Sequence, residues 1–198
     1  MNHIVLFEPE KPANVGNIIR TCMCLGADLV VVGYTSFDIS DKSLKRAGMD
    51  YLSGVNTTKY DTFDEFFANT SGEYRFVTRY SKKVYSEFDL SDNNKDYYLL
   101  FGRESTGLPH DLLRKNFEKT MRIPMVANAR SLNLANSVAI VLSEAIRQQG
   151  FNNLATSEQI KGEDFLFEED KKSALDCGMN GFLSKPIVVE ELIDALRG

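Results

Sequence analysis

The chain has few cysteines, no long apolar run and no surplus of positive charge, and each shortage removes a class of function. Its three cysteines, Cys22, Cys24 and Cys177, form no CxxC pair and stand beside no His cluster with zinc spacing. Neither a disulfide framework nor a metal site is expected, and the thiols read as ordinary side chains. The longest apolar runs, Leu29 to Val32 and Val138 to Leu142, fall far short of the roughly 20 residues that cross a membrane. The N-terminus, MNHIVLF, lacks a basic segment followed by a cleavage site, so a soluble protein with a cytoplasmic location is the expectation. A net charge of −5 argues against nucleic-acid binding through bulk charge, although not against a local basic surface. The GxGxxG fingerprint of dinucleotide-binding proteins is missing as well.

What is present is a mixed α/β pattern. With 198 residues, 43% of them hydrophobic, the chain is long enough for one sizeable core or for a domain and an appendage. HIVLF (His3 to Phe7), NVGNIIRTCMCLG (Asn14 to Gly26) and DLVVVG (Asp28 to Gly33) read as strand, helix and strand, a βαβ unit that implies parallel pairing. Thr62 and Glu65 form a capping box ahead of FDEFFAN, while YRFVT (Tyr74 to Thr78) and YYLLFG (Tyr97 to Gly102) are further strands. A short helix over Asp111 to Lys115, a strand MRIPM (Met121 to Met125) and a long helix from Arg130 to Gln148 complete the pattern. The fold class is therefore α/β, with a mostly parallel sheet flanked by helices. Ligands of such sheets bind beyond the carboxyl ends of the strands, which directs attention to the loops after Phe7, Thr78, Gly102 and Met125.

Three stretches carry polar residues that secondary structure does not require. In PANVGNIIRT, Asn14 can cap a helix, Gly16 permits close backbone approach and Arg20 projects from the next turn or so. LLFGRESTGLP ends a buried strand in Gly102, Arg103, Glu104, Ser105, Thr106 and Gly107; a glycine there suits either a ligand that approaches the backbone or a tight turn. In IPMVANARSLNLANSVAI, Asn133, Asn136 and Ser137 stand at i, i+3 and i+4, on one helical face. Basic clusters occur at Lys42, Lys45 and Arg46, at Arg75, Arg79, Lys82 and Lys83, and at Arg114, Lys115, Lys119 and Arg122.

In this order and spacing, the three stretches resemble motifs one, two and three of the SpoU branch of the SPOUT RNA methyltransferases. EPEKPANVGNIIR, LKRAGMDY and SLNLANSVA most resemble the TrmL-type tRNA (cytidine/uridine-34-2'-O)-methyltransferases. The resemblance implies a C-terminal deep trefoil knot and a homodimer with its active site near the subunit interface. It implies S-adenosyl-L-methionine as cofactor, leaving S-adenosyl-L-homocysteine, with no metal, and tRNA as substrate and partner. On matching positions, Thr78, Gly102, Ile123, Met125, Ser131 and Leu132 would hold the cofactor, and Arg20, Asn14, Glu104 and Asn133 would serve the reaction. The modified nucleotide would be cytidine or 5-carboxymethylaminomethyluridine at position 34. A non-catalytic RNA-binding protein on the same scaffold, or an engineered fusion, is the alternative.

Two features depart from the pattern. Ser143 occupies a position where many relatives carry tyrosine. The end of the chain, GMNGFLSKPIVVEELIDALRG, resembles the last strand and helix of a response-regulator receiver domain, without the strands that supply its phosphorylated aspartate. Residues 1–160 are accordingly read as the methyltransferase domain, 161–168 as a linker and 169–198 as a receiver-like fragment, natural or fused, that packs weakly.

Overall fold

The computed structural model describes residues 1–37, 55–163, 165–167 and 176–178. The LKRAGMDY phrase, the cluster of Lys42, Lys45 and Arg46, and the strand and helix expected at 181–184 and 188–196 lie outside the described residues. The chain divides into two compact units, Met1–Leu154 and Ala155–Gly198.

In the first unit, β1 (Asn2–Phe7) leads to α1 (Pro12–Leu25), β2 (Asp28–Val32), β3 (Thr57–Tyr60) and α2 (Phe63–Asn69). Then come β4 (Glu73–Val77), β5 (Tyr97–Phe101), α3 (His110–Lys115), β6 (Thr120–Met121) and α4 (Leu134–Gln148). The strands form one sheet in the order β3-β2-β1-β5-β4-β6, and every pairing between them is parallel. From β1 the chain moves outward through β2 to β3 and then crosses to the other side of β1, where β4 and β5 lie with β5 beside β1, so β1 and β5 meet where the direction of winding changes. Such a switch point opens a crevice at the carboxyl ends of its strands.

Burial explains why these segments became these elements. All five residues of β5 are buried, as are four of the five in β2, as expected for central strands covered on both faces. Alternate residues divide between two cores. Ile4, Leu6, Leu29, Val31, Leu99 and Phe101 meet Ile18 and Cys22 of α1 and Val138 and Leu142 of α4. On the opposite face Val5, Val30, Phe76, Tyr98 and Leu100 meet Phe66 of α2 and Leu113 of α3. Cys22 lies inside the first core, and desolvation pushes its thiol up to about 12; it stays protonated and serves as a small apolar side chain.

Several local expectations require correction. Helix α1 begins at Pro12, whose missing N–H suits the first helical position, with Lys11 as its N-cap. Asn14 is therefore inside the first turn, and its side chain does not cap the helix. The long final helix begins at Leu134, not Arg130: Asn133 is its N-cap, accepting from the N–H groups of Ala135 and Asn136 at 2.8 and 3.4 Å. The expected strand over 121–125 is limited to Thr120–Met121, extended only by a bridge from Arg122 to Val84. Pro124 has no N–H to continue a ladder. Strand β3 has no apolar alternation, because as an edge strand it is largely exposed. The Thr62 cap is present, accepting from Glu65 N–H at 3.1 Å, but the Glu65 carboxylate accepts from Asp61 N–H, one residue before the cap.

In the second unit Glu158 accepts from the amides of Ile160 and Lys161, and the Lys161 ammonium lies 4.3 Å from the centre of the Phe165 ring.

Candidate active site

A cleft of about 590 Å³ opens beyond the carboxyl ends of β1, β4, β5 and β6, a size ordinary for a small-molecule or cofactor site. Lys11 and Asn14 contribute from the start of α1, and Thr78, Arg79 and Tyr80 from the chain leaving β4. The loop after β5 supplies Gly102 through Leu108. The segment after β6 supplies Ile123, Met125 and Arg130 through Leu134. All the sequence-derived candidates except Arg20 thus line one space. Arg20 is exposed on α1, outside the lining of this cleft.

Three polar side chains, one from each motif, are bonded to one another at its wall. Asn14, only 6% exposed, donates from Nδ2 to Glu104 Oε1 at 2.8 Å and accepts at Oδ1 from Asn133 Nδ2 at 2.9 Å. Glu104 also accepts from the backbone amides of Glu10 (2.9 Å) and Lys11 (3.2 Å). Both oxygens of its carboxylate therefore accept from N–H donors. Asn133 carries the chain of bonds into the N-terminal turn of α4, and Ser137 Oγ donates back to the Asn133 carbonyl at 3.1 Å. Asn136 is exposed and enters this arrangement only through its backbone. The polar face at the start of α4 is thus chiefly a clamp that joins the loops after β1, β5 and β6.

The same junction is braced by residues that the motifs alone did not single out for a role. Ser105 donates from its amide and hydroxyl to Glu10, at 2.9 and 2.7 Å. These two bonds hold the Glu10 carboxyl below its usual value, with Arg103 and Lys11 adding attraction and partial desolvation opposing it. Arg103 pairs with Glu8 at 3.1 Å and with Glu10 at 3.5 Å. Glu8 has φ of +44°, a left-handed backbone that disfavours a side chain. Its amide is held by the Val32 carbonyl at 2.9 Å, and the Arg103 pair holds its carboxylate. The signal available in sequence was the run EPEK between a strand and a helix, facing GREST across two loops.

The turn after β5 itself requires glycine at position 102. A Cβ there would lie 2.0 Å from the Gly107 carbonyl carbon and 2.1 Å from Leu108 N, so the loop closes on its own backbone at this point. The mutual bonds between Arg103 and Gly107 amides and carbonyls, at 2.9 and 3.2 Å, fasten that closure.

The basic clusters separate once partners are assigned. Arg75 is bonded to Glu73 and to the Tyr74 carbonyl and lies over Phe88, which makes it a packing residue. Lys83 pairs with Glu118 and Arg114 with Asp111. Arg79 and Arg130 instead line the cleft with Lys11, and Arg79 Nη1 donates to the Arg130 carbonyl at 3.2 Å. Ser143 is exposed on α4. Among the described residues no group of three or more His, Cys, Asp or Glu side chains is placed to hold a metal.

A parallel sheet with a cleft at its switch point, walled by glycine-rich and amide-rich loops, defines a cofactor-binding α/β domain. Residues 1–143 match the model of the SpoU rRNA methylase family, and the chain belongs to that family. It is 51% identical over 154 residues to a Listeria monocytogenes (serotype 4b, strain F2365) protein assigned as a tRNA (cytidine(34)-2'-O)-methyltransferase, covering 77% of this chain and 91% of the relative. Its fold is similar to that of a structure described for 2'-OH methylation of C/U34 on tRNA: TM-score 0.69, 36% identity, with 77% of this chain and 98% of that one covered. An AdoMet-bound rRNA methyltransferase from Sinorhizobium meliloti is similar at TM-score 0.64 and 30% identity, over 74% of this chain and 56% of that one. The six-stranded parallel sheet flanked by helices is the SPOUT methyltransferase fold.

Replacing Glu104 by Gln is expected to place an amide NH₂ against an N–H donor. A stability loss of about 1–3 kcal/mol should follow, read by urea unfolding; a Gln variant as stable as the parent would show that the carboxylate is not required. A second expectation concerns acid. Because folding lowers the Glu10 pKa, its contribution is fully present above the unfolded carboxylate value of about 4.3 and is lost as pH falls through the folded value. The stability difference between the parent and Ser105→Ala should therefore be constant near neutrality and shrink under acid conditions. A difference independent of pH would rule out the Glu10–Ser105 linkage.

Proposed function

We propose that the protein is an S-adenosylmethionine-dependent tRNA ribose 2'-O-methyltransferase that modifies the wobble nucleotide, cytidine or 5-carboxymethylaminomethyluridine at position 34. The observation that carries this reading is the convergence of all three motifs on one cleft, in a chain of the SpoU family. The relative and the solved structure named for methylation at position 34 supply the substrate class.

The walls suit the cofactor. Val77, Ile123, Met125, Leu132 and Leu134 offer apolar surface, and the loops around Thr78, Gly102 and Ser131 bring backbone amides and carbonyls to the same space. Uncharged walls of this kind can take up an adenosine without a dedicated charged partner. Thr78, Gly102, Ile123, Met125, Ser131 and Leu132 would hold it. Bound there, the cofactor supplies a methyl group on a positively charged sulfur, and no metal is needed.

The roles of the polar residues follow from their partners. Asn14, Glu104 and Asn133 hold the three loops in register, so they act mainly by orienting the walls around the reactants. Holding reactants in near-attack geometry is itself a large part of such a rate enhancement. Arg20 is read as the residue that steadies the phosphate beside the target ribose and stabilises charge developing on its 2'-oxygen. A guanidinium keeps its proton and offers only donors, so it is a poor proton acceptor. Since Arg20 lies outside the cleft of its own chain, this role fits a homodimer in which Arg20 of a second copy approaches the site. A trefoil knot formed by the C-terminal loops and a cytoplasmic setting belong to the same reading.

Mass spectrometry of nucleosides from tRNA incubated with protein and S-adenosylmethionine tests the reaction and the position together. A 2'-O-methylated nucleotide at position 34 is expected, and the absence of any ribose methylation would refute the proposal. In single-turnover assays Arg20→Lys should be markedly slower, because lysine cannot offer a planar bidentate contact. An unchanged rate would remove Arg20 from its assigned role.

A further inference from the structure

Tyr80 stands at the edge of the cleft, outside the set of residues assigned to the cofactor and the reaction. Tyr80 leaves β4 two residues after Thr78, lines the cleft, and is 58% exposed. An open aromatic face at the mouth of a site, with a polar hydroxyl at its tip, offers a surface on which a flat ligand can lie.

Its position is held on two sides. The Tyr80 amide donates to Thr78 Oγ1 at 3.3 Å, tying it to the wall assigned to the cofactor. Its ring meets the His110 ring edge to face, with centroids 5.5 Å apart and planes at 87°. Beside it, Arg79 is bonded to the carbonyl of Arg130, and Lys11 lines the same cleft. Glu104, the carboxylate in the cleft wall, and Glu10 beside Lys11 are already engaged by Ser105, Arg103, Asn14 and backbone amides. An aromatic ring among cations is the combination that binds an unpaired nucleotide: the ring takes the base face and the cations take the phosphates. Ile123 and Met125, which line the same cleft, are less exposed than Tyr80, a setting that suits the cofactor rather than a base arriving from solvent.

We infer that Tyr80 is a substrate-positioning residue on which the base of the nucleotide being methylated stacks, while Arg79, Arg130 and Lys11 hold the phosphates flanking it. The inference rests on the methyltransferase reading and adds to it how the target nucleotide is seated. Stacking accepts any base face, so this platform orients the nucleotide without choosing between cytidine and uridine.

The test uses the full chain with S-adenosylhomocysteine and an anticodon stem-loop carrying pyrrolocytidine at position 34, whose emission falls when the base stacks. Tyr80→Phe should retain both the quenching and tRNA affinity. Tyr80→Leu, which keeps an apolar side chain without a ring, should lose the quenching and raise the tRNA Kd and KM roughly tenfold, the scale of one lost base–aromatic stack. Calorimetry should find S-adenosylmethionine affinity unchanged in Tyr80→Leu. The inference is overturned if Tyr80→Leu quenches like the parent, if cofactor affinity falls in step with that for tRNA, or if light scattering shows that the leucine variant has changed its oligomeric state. Failure of the parent protein to methylate tRNA would instead count against the methyltransferase reading itself.

Discussion

The structure of the cleft depends on the hydrogen-bonded chain from Asn133 through Asn14 to Glu104. Asn14 comes from the first turn of α1, Glu104 from the loop after β5 and Asn133 from the N-cap of α4, and the bonds are 2.8 and 2.9 Å long. Because Asn14 is buried, leaving any of its groups without a partner would be costly. The arrangement therefore has little freedom to drift. Glu104 extends it to the backbone of Glu10 and Lys11, and Asn133 extends it into the first turn of α4. The walls of the cleft are positioned by a set of bonds among the residues behind them.

This division explains the shape of the neighbouring loops. Glu8 adopts a left-handed backbone as the chain leaves β1, and its carboxylate pairs with Arg103 from the loop after β5. Gly33, with φ of +88°, runs alongside, and a Cβ there would come within 2.5 Å of Glu8 Cγ. The local strain at Glu8 is balanced by contacts on both sides, as expected where a site demands an uncommon backbone. Gly102 then lets the GRESTG loop turn back on itself, so that Glu104 and Ser105 face the residues they hold.

Much of this was legible in the sequence, and the failures have identifiable causes. Strands β1, β2 and β5 announce themselves because buried parallel strands are continuous apolar runs. Strand β3, TTKY, does not, since an exposed edge needs no apolar side. The start of α4 was displaced because Arg130 to Leu132 are compatible with a helix by composition, and only the bonds accepted by Asn133 reveal the cap. Asn14 likewise looked like a cap, whereas Pro12 opens the helix and frees the amide for Glu104. The bonds in question join residues 90 and 119 positions apart, and no local pattern encodes such pairings.

The α/β class, the parallel order implied by the βαβ start, the motifs of the SpoU family and the loops beyond the strand ends can all be read from the amino-acid sequence. Those properties follow from the spacing of apolar residues and from short motifs, which are local. Only the tertiary structure decided that Asn14, Glu104 and Asn133 bond to one another, that Gly102 faces its own loop, that Arg75 is a packing residue while Arg79 reaches the cleft, and that Arg20 does not. Spacing records which side of an element is buried. Partnership among polar groups is settled by the register in which distant segments meet.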